Sequence, residues 1–206
     1  MDTGSRSQTL RLKIDRSLSE RHCVRRHRRV SIMQLTNVVC SASLNCPVDL
    51  RALCLALTNV RYDPARFPGL IWQHRTIGGN CLVFSNGKLH CSGRATRFRE
   101  GIQRLRRYAR VLQNLGIPIM LTDAKVMTAS AFHILSAPLN WTLFINEKQL
   151  VYEPELFPTV NFSQEGVTFS CFSNGKVIIT GIKTETDIDE VVYPTLIELE
   201  LYTHQT

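Results

Sequence analysis

The chain has 206 residues, 44% of them apolar and 20% charged, and a formal net charge of +8, a size and balance that predict a soluble chain with a buried core. No apolar run approaches the length of a bilayer span, and the N-terminal segment is polar and Arg-rich, so a membrane helix and a secretory signal are excluded as expectations. The seven cysteines (Cys23, Cys40, Cys46, Cys54, Cys81, Cys91 and Cys171) are odd in number and scattered through apolar stretches, which predicts free thiols in a reducing compartment and no disulfide framework.

Residues 1–32 hold nine Lys/Arg against three acidic residues, so +6 of the charge lies there and +2 in the remainder. Such a segment reads as a solvated, disordered basic tail suited to nuclear import or loose phosphate contact. His22, Cys23 and His27 cluster in it, but no second ligand pair completes a tetrahedron, so no metal site and no cofactor is expected. From 36 to 42 the chain alternates Val38, Cys40 and Ala42 with Asn37, Val39 and Ser41, the period of a half-buried strand. Pro47 and Asp49 then open a short helix with Leu50, Leu53, Cys54 and Leu57 on one stripe. Gly78-Gly79 reads as a turn between strands. Asn86-Gly87 predicts a type I′ hairpin between 81–84 and 89–92. The stretch 96–115 predicts a long helix that turns Ile102, Leu105, Ala109 and Leu112 inward and Arg99, Gln103, Arg106, Arg107 and Arg110 outward, with Gly116 at C′. Asn174-Gly175 predicts a second type I′ hairpin. The final helix, near 184–199, is acidic and interrupted by Pro194.

The chain repeats itself. Tyr62-Asp63-Pro64-Ala65-Arg66-Phe67-Pro68 returns as Tyr152-Glu153-Pro154-Glu155-Leu156-Phe157-Pro158, offset by 90, and Ser85-Asn86-Gly87-Lys88 returns as Ser173-Asn174-Gly175-Lys176, offset by 88. Gly93 and Gly181 keep the second offset, and each copy closes on a helix-length segment carrying a tyrosine, Tyr108 and Tyr193. Two ordered matches of this kind predict tandem copies of one unit, with a tail over 1–32 and repeats over 33–121 and 122–206. Each copy reads as strand, helix, strand meander, helix, an α+β architecture.

Strand parity then sorts the side chains. In the first copy Val38, Cys40, Cys81, Val83, Leu89 and Cys91 share the helix side of an antiparallel sheet, and Asn37, Val39, Leu82, Phe84, His90 and Ser92 share the other. The second copy puts Thr128, Ser130, Ser170, Phe172, Ile178 and Thr180 on that other face. An uncharged, partly apolar open face predicts an interaction surface. The competing reading is a sandwich core between the copies, for which hydroxyls and an Asn are poorly suited. Catalytic signatures are missing: there is no H-E-x-x-H, G-x-S-x-G or phosphate-binding P-loop, and the open face lacks the paired carboxylates or Cys/His sets that chemistry needs.

The run Tyr152-Glu153-Pro154-Glu155-Leu156-Phe157-Pro158, the run Gly175-Lys176-Val177-Ile178-Ile179-Thr180-Gly181 and the helix run Tyr108-Ala109-Arg110-Val111-Leu112-Gln113-Asn114-Leu115-Gly116 together resemble the TATA-box-binding protein family over about 34–202. Asn37-Val38-Val39-Cys40 is similar to its TBP-like branch. The resemblance implies a saddle-shaped, ten-stranded antiparallel sheet with pseudo-two-fold repeats, helices on the convex side and the DNA minor groove on the concave side. It implies four wedge phenylalanines, Phe67, Phe84, Phe157 and Phe172, and groove contacts from Asn37, Val39, Leu82, Ser92, Thr128, Ser130, Ile178 and Thr180. Transcription factor IIB is implied at Glu153, Glu155 and Leu156. The basic helix surface of Arg106, Arg107 and Arg110 would serve other regulators such as factor IIA and TBP-associated factors. A nuclear location follows.

The sequence departs from the family pattern in its second half. Asn37 is matched by Thr128 where the family has Asn twice, Ser130 and Ser170 stand at apolar groove positions, and His90 replaces a groove-facing Val. Phe67 and Phe84 are 17 positions apart, Phe157 and Phe172 only 15. Two functions are therefore carried forward, a promoter-bending initiation factor and a divergent adaptor with weak or non-TATA DNA binding.

Overall fold

The structure, a computed structural model, describes residues 33–150, 152, 153, 155 and 157–203. The basic tail, its His22–Cys23–His27 cluster and Leu156 lie outside the described residues. The chain forms two compact units, Leu35–Ser130 and, among the described residues, 33–34 with 131–203.

In the first unit the order along the chain is β1 (Gln34–Ser43), α1 (Leu50–Ala56), β2 (Val60–Arg61), β3 (Leu70–Trp72), β4 (Asn80–Val83), β5 (Lys88–Gly93) and α2 (Phe98–Asn114). The strands pair antiparallel in the order β2-β3-β4-β5-β1. Asp49 caps α1, its Oδ1 accepting from the Arg51 and Ala52 amides at 2.9 and 3.1 Å, which satisfies two of the amides a helix start leaves free. The long helix begins two residues later than the periodicity predicts. Thr96 stays outside it and is clasped by Glu100, whose carboxylate accepts from the Thr96 amide at 3.0 Å and hydroxyl at 2.7 Å. At the other end Gly116 takes φ +84, as a C′ glycine should.

α2 lies close on the sheet. A Cβ at Gly101 would stand 2.7 Å from Cys40 Sγ and 2.8 Å from Val38 Cγ1, so only glycine lets the helix approach this far. Tyr108 is fully buried. Its ring meets Trp72 at 4.8 Å, and its hydroxyl accepts from the His74 amide at 3.2 Å and donates to the Gly79 carbonyl at 3.2 Å. The helix thereby holds the loop at Gly78-Gly79, both at positive φ.

The second unit runs β6 (Thr122–Ile134), α3 (Trp141–Lys148), β7 (Thr159–Gln164), β8 (Val167–Phe172), β9 (Lys176–Ile182), α4 (Glu185–Asp187) and α5 (Tyr193–Glu200). Its strand order is β6-β9-β8-β7, with β6 residues through Ser130 counted in the first unit. Phe144, Phe162, Phe169, Ile179, Ile182 and Leu196 form its core. The α+β class and the antiparallel pairing agree with expectation. Nine strands are present among the described residues where the resemblance implies ten. The counterpart of β2, at the offset of 90, would include Val151, which is not described.

Three local expectations are corrected. The Asn-Gly hairpins are not type I′, because only Gly87 and Gly175 have positive φ, at +81 and +83, and neither Asn does. Instead Gly87 N–H donates to the Phe84 carbonyl at 2.9 Å and Gly175 N–H to that of Phe172 at 3.1 Å, a type I turn followed by a left-handed glycine. A Cβ at either glycine would run into a backbone carbonyl, of Cys46 or Ala137. A hairpin with both central residues at positive φ does occur, at Glu165-Gly166 (φ +48 and +85) between β7 and β8. That two-residue turn replaces the longer 73–79 connection of the first unit and accounts for the shorter spacing between Phe157 and Phe172. Finally, Pro194 does not interrupt the last helix. A π-turn over Ile188–Val192 joins α4 to α5, so the missing proline amide falls where the ladder has already shifted register.

Candidate nucleic-acid interface

Within each unit the strands present one sealed and one open face. In the first unit Val38, Cys40, Cys81, Val83, Leu89 and Cys91 are at most 1% exposed, and α2 packs on Val38 and Cys40 at Gly101. Cys40, Cys91 and Cys81 stand in one row across β1, β5 and β4. Burial pushes the Cys40 thiol up to about 11 and the Cys81 thiol well above its usual value, and in the second unit burial pushes Cys171 up to about 12. These thiols stay protonated at neutral pH and pack as small apolar groups.

On the open face of the first unit Asn37, Val39, Ser41, Ile71, Leu82, His90 and Ser92 are half-buried, and Asn80 is exposed. Strand register sets Ile71, Leu82, His90 and Ser41 in one line across four strands, and Asn80, Ser92 and Val39 in the next. Asn37 lies further along β1, and Thr36 donates its hydroxyl to the Ser130 carbonyl at 3.0 Å, which ties β1 to the Thr128–Ser130 stretch within this unit. Phe67 sits in the loop between β2 and β3, its amide bonded to the Asp63 carbonyl at 2.9 Å. Its ring meets Phe84 edge-on at 5.9 Å, and Phe84 meets His90 edge-on at 5.6 Å. Beneath the pair is Gly69, where a Cβ would stand 2.7 Å from Phe67 and 3.0 Å from Phe84. The two rings are thus seated together at one end of the open face.

In the second unit Phe157 repeats the turn of Phe67, its amide donating to the Glu153 carbonyl at 3.1 Å, and its ring is 63% exposed. Phe172 stands opposite Thr159 on β7. The rows behind it are Asn161–Ser170–Ile178 and Ser163–Thr168–Thr180, with a 2.9 Å hydroxyl pair between Ser163 and Thr168. This face is richer in hydroxyls than that of the first unit. Glu153 and Glu155 are exposed. On α2, Arg106, Arg107 and Arg110 are exposed, opposite the buried Leu105, Tyr108 and Leu112.

Sequence reasoning missed Phe132, which follows Thr128 and Ser130 in the same parity and lies half-buried with the Lys176 ammonium 5.9 Å from its ring centre. Extending the alternation along β6 would have found it, as the same parity applied along β3 and β7 would have found Ile71 and Asn161. His133, also missed, points to the sealed side and is 1% exposed. Its ring lies 3.9 Å from Glu200, whose carboxylate is engaged by the Ser136 amide at 3.0 Å and hydroxyl at 2.5 Å. Burial holds the His133 imidazolium below its usual pKa, with Glu200 opposing. The unfolded chain therefore takes up this proton first, and stability falls as pH drops below about 6.5. Thermal melting across that range should show the loss, and His133→Leu should flatten it; an unaltered acid limb would refute the assignment.

A family model described as transcription factor TFIID (or TATA-binding protein, TBP) matches residues 32–115 and 127–200. The chain is 34% identical over 172 residues to TATA box-binding protein-like 2 of Takifugu rubripes, covering 80% of this chain and 53% of that one. It is 33% identical over 172 residues to the TATA-box-binding protein of Xenopus tropicalis, covering 80% and 58%. The structure of Methanococcus jannaschii TBP superposes with a TM-score of 0.72 at 27% identity, covering 82% of this chain and 98% of that one. The chain spans about half the length of the curated relatives it matches.

Proposed function

The chain belongs to the TATA-box-binding protein family, a family of non-enzymatic transcription factors, and we propose that it is an initiation factor that grips and kinks the minor groove of promoter DNA in the nucleus. The observation that supports this most is the pair of mirrored turns that present Phe67 beside Phe84 and leave Phe157 exposed. Wedge insertion with kinking, at a few kcal/mol of unstacking per step, is an established property of this family and is taken over from it. The physical fit is direct. An apolar ring buried between unstacked bases offsets part of that cost. Asn37, Ser92, Thr128 and Thr180 can donate to the N3 and O2 acceptors that A·T pairs present, and Val39, Leu82 and Ile178 leave no partner for the extra amino group of G·C. Ser130 fits the same face with a hydroxyl.

On this reading Glu153 and Glu155, with Leu156 between Glu155 and Phe157 in sequence, form the docking loop for a factor of the IIB type. Arg106, Arg107 and Arg110 offer a cationic surface to factors of the IIA type or TBP-associated factors. A second reading, an adaptor with weak or non-TATA binding, is favoured by one observation, the hydroxyl-rich rows of the second unit.

A short duplex end-labelled with a fluorescence donor and acceptor separates the two. Titrated at several salt concentrations, a TATA duplex should bind more tightly than its G·C-substituted version, with its ends drawing together. Equal binding to straight duplexes, released in parallel as salt rises, would leave the adaptor reading.

A further inference from the structure

Among the groove-facing positions at which the two copies differ, one sets a titratable ring against a hydrocarbon. The offset of 88 that aligns the hairpins sets His90 against Ile178. Ile178 can neither donate nor accept. His90 stands in the open row between Leu82 and Ser41, and its ring is held edge-on against Phe84 at 5.6 Å. A neutral imidazole carries one donor and one acceptor, and the imidazolium carries two donors and no acceptor. In the minor groove A·T presents acceptors only, and G·C adds one donor, the guanine amino group. Protonation of this ring therefore changes which base pair it can satisfy, a property that the freely rotating hydroxyls beside it do not have.

We propose that His90 is a specificity-determining residue whose neutral ring accepts from the guanine amino group of a G·C pair under the Leu35–Ser130 unit, and whose protonated ring turns the same position toward A·T. The proposal rests on the minor-groove reading above. Of the groups around the ring, Lys88 on the same strand is charged, and Ser41, Leu82 and Phe84 are not. Burial first, and the Lys88 ammonium second, hold the imidazolium below its usual pKa, so the free protein presents the neutral ring near neutral pH. Duplex phosphates stabilise the cation in the complex, so acidification should strengthen A·T binding.

The test uses the full chain and paired duplexes that differ by one A·T or G·C pair, moved along the half-site. Fluorescence anisotropy follows binding at fixed ionic strength between about pH 5 and about pH 8, with intrinsic fluorescence monitoring the fold. At one position the wild-type ratio of G·C to A·T affinity should fall about fivefold on acidification. His90→Val should prefer A·T at every pH, and His90→Gln, which keeps an acceptor and does not titrate, should tolerate G·C at every pH. A wild-type ratio that ignores pH, or a shift that persists in His90→Val, overturns the proposal and leaves groove binding intact. A wild-type chain that binds none of the duplexes overturns both.

Discussion

Replacing Phe67 and Phe84 together by alanine is expected to abolish bending of the TATA duplex and to weaken its binding by about 10²- to 10⁴-fold. The magnitude follows from two rings worth about 1.5–3 kcal/mol each when fully withdrawn from water, converted at about 1.4 kcal/mol per decade. The rings are half-buried in the free protein, and they pack on one another across Gly69 rather than beneath α2. The double substitution should therefore cost the fold no more than about 1–2 kcal/mol. That asymmetry makes the experiment decisive, because affinity and bending must fall while the melting transition barely moves. Energy transfer across the labelled duplex reports the bend, and the same titration reports affinity. Phe157→Ala is the cleanest companion, since a ring already 63% exposed contributes little to folding, and a drop in affinity there can only reflect its contact with DNA. If the double variant still drew the duplex ends together, the wedge role of the first unit would be wrong, and the pair would be a surface cluster only.

Much of this site was legible because period-two alternation is a physical consequence of strand geometry. Val38, Cys40, Cys81 and Cys91 could be sent to the sealed face without knowing which strands neighbour one another. Register is another matter. That Leu82 and Ser41 flank His90, or that Ser170 lies between Asn161 and Ile178, depends on long-range pairing that no local pattern encodes. The turns show where local chemistry misleads. Asn-Gly signals a hairpin, but the Asn86 and Asn174 side chains accept from the Lys88 and Lys176 amides at 3.0 and 3.1 Å, and this holds the Asn backbone on the negative-φ side. The hairpin that does place two residues at positive φ begins with Glu165, a residue with no intrinsic preference for that region. Pro194 signals a break in the sequence because the π-turn that absorbs it has no sequence signature. Phe132 was legible too, because the parity that yields Thr128 and Ser130 yields Phe132 two residues further along β6.

The largest stability effect is expected from Phe144→Ala, about 3–5 kcal/mol against the roughly 5–15 kcal/mol that holds a domain together. Phe144 is 1% exposed on α3. Its ring meets Phe162 at 5.7 Å and Tyr202 at 5.1 Å, and it joins the helix both to β7 and to the end of the chain. The helix itself has weak local support. Its Asn140 cap bonds the Leu143 amide at 3.2 Å, it ends on Gln149 at φ +51, and it is only 8 residues long, too short to persist without tertiary packing. Removing the ring leaves a cavity against Phe162 that the stacked Phe162–Phe169 pair, 5.2 Å apart, cannot fill without leaving its own place. Denaturant titration should show the midpoint falling with the slope unchanged, while Leu143→Ala, at a residue 42% exposed, should stay within about 0.5 kcal/mol of wild type. β7 begins at Thr159, two residues beyond Phe157, so loosening Phe162 also loosens the strand that aims the exposed wedge. Phe144→Ala should for that reason bind DNA more weakly at temperatures where it is still folded. A variant that lost less than about 1 kcal/mol, or lost stability without any change in affinity, would show that the sealed core and the open face of this unit are not mechanically linked through β7.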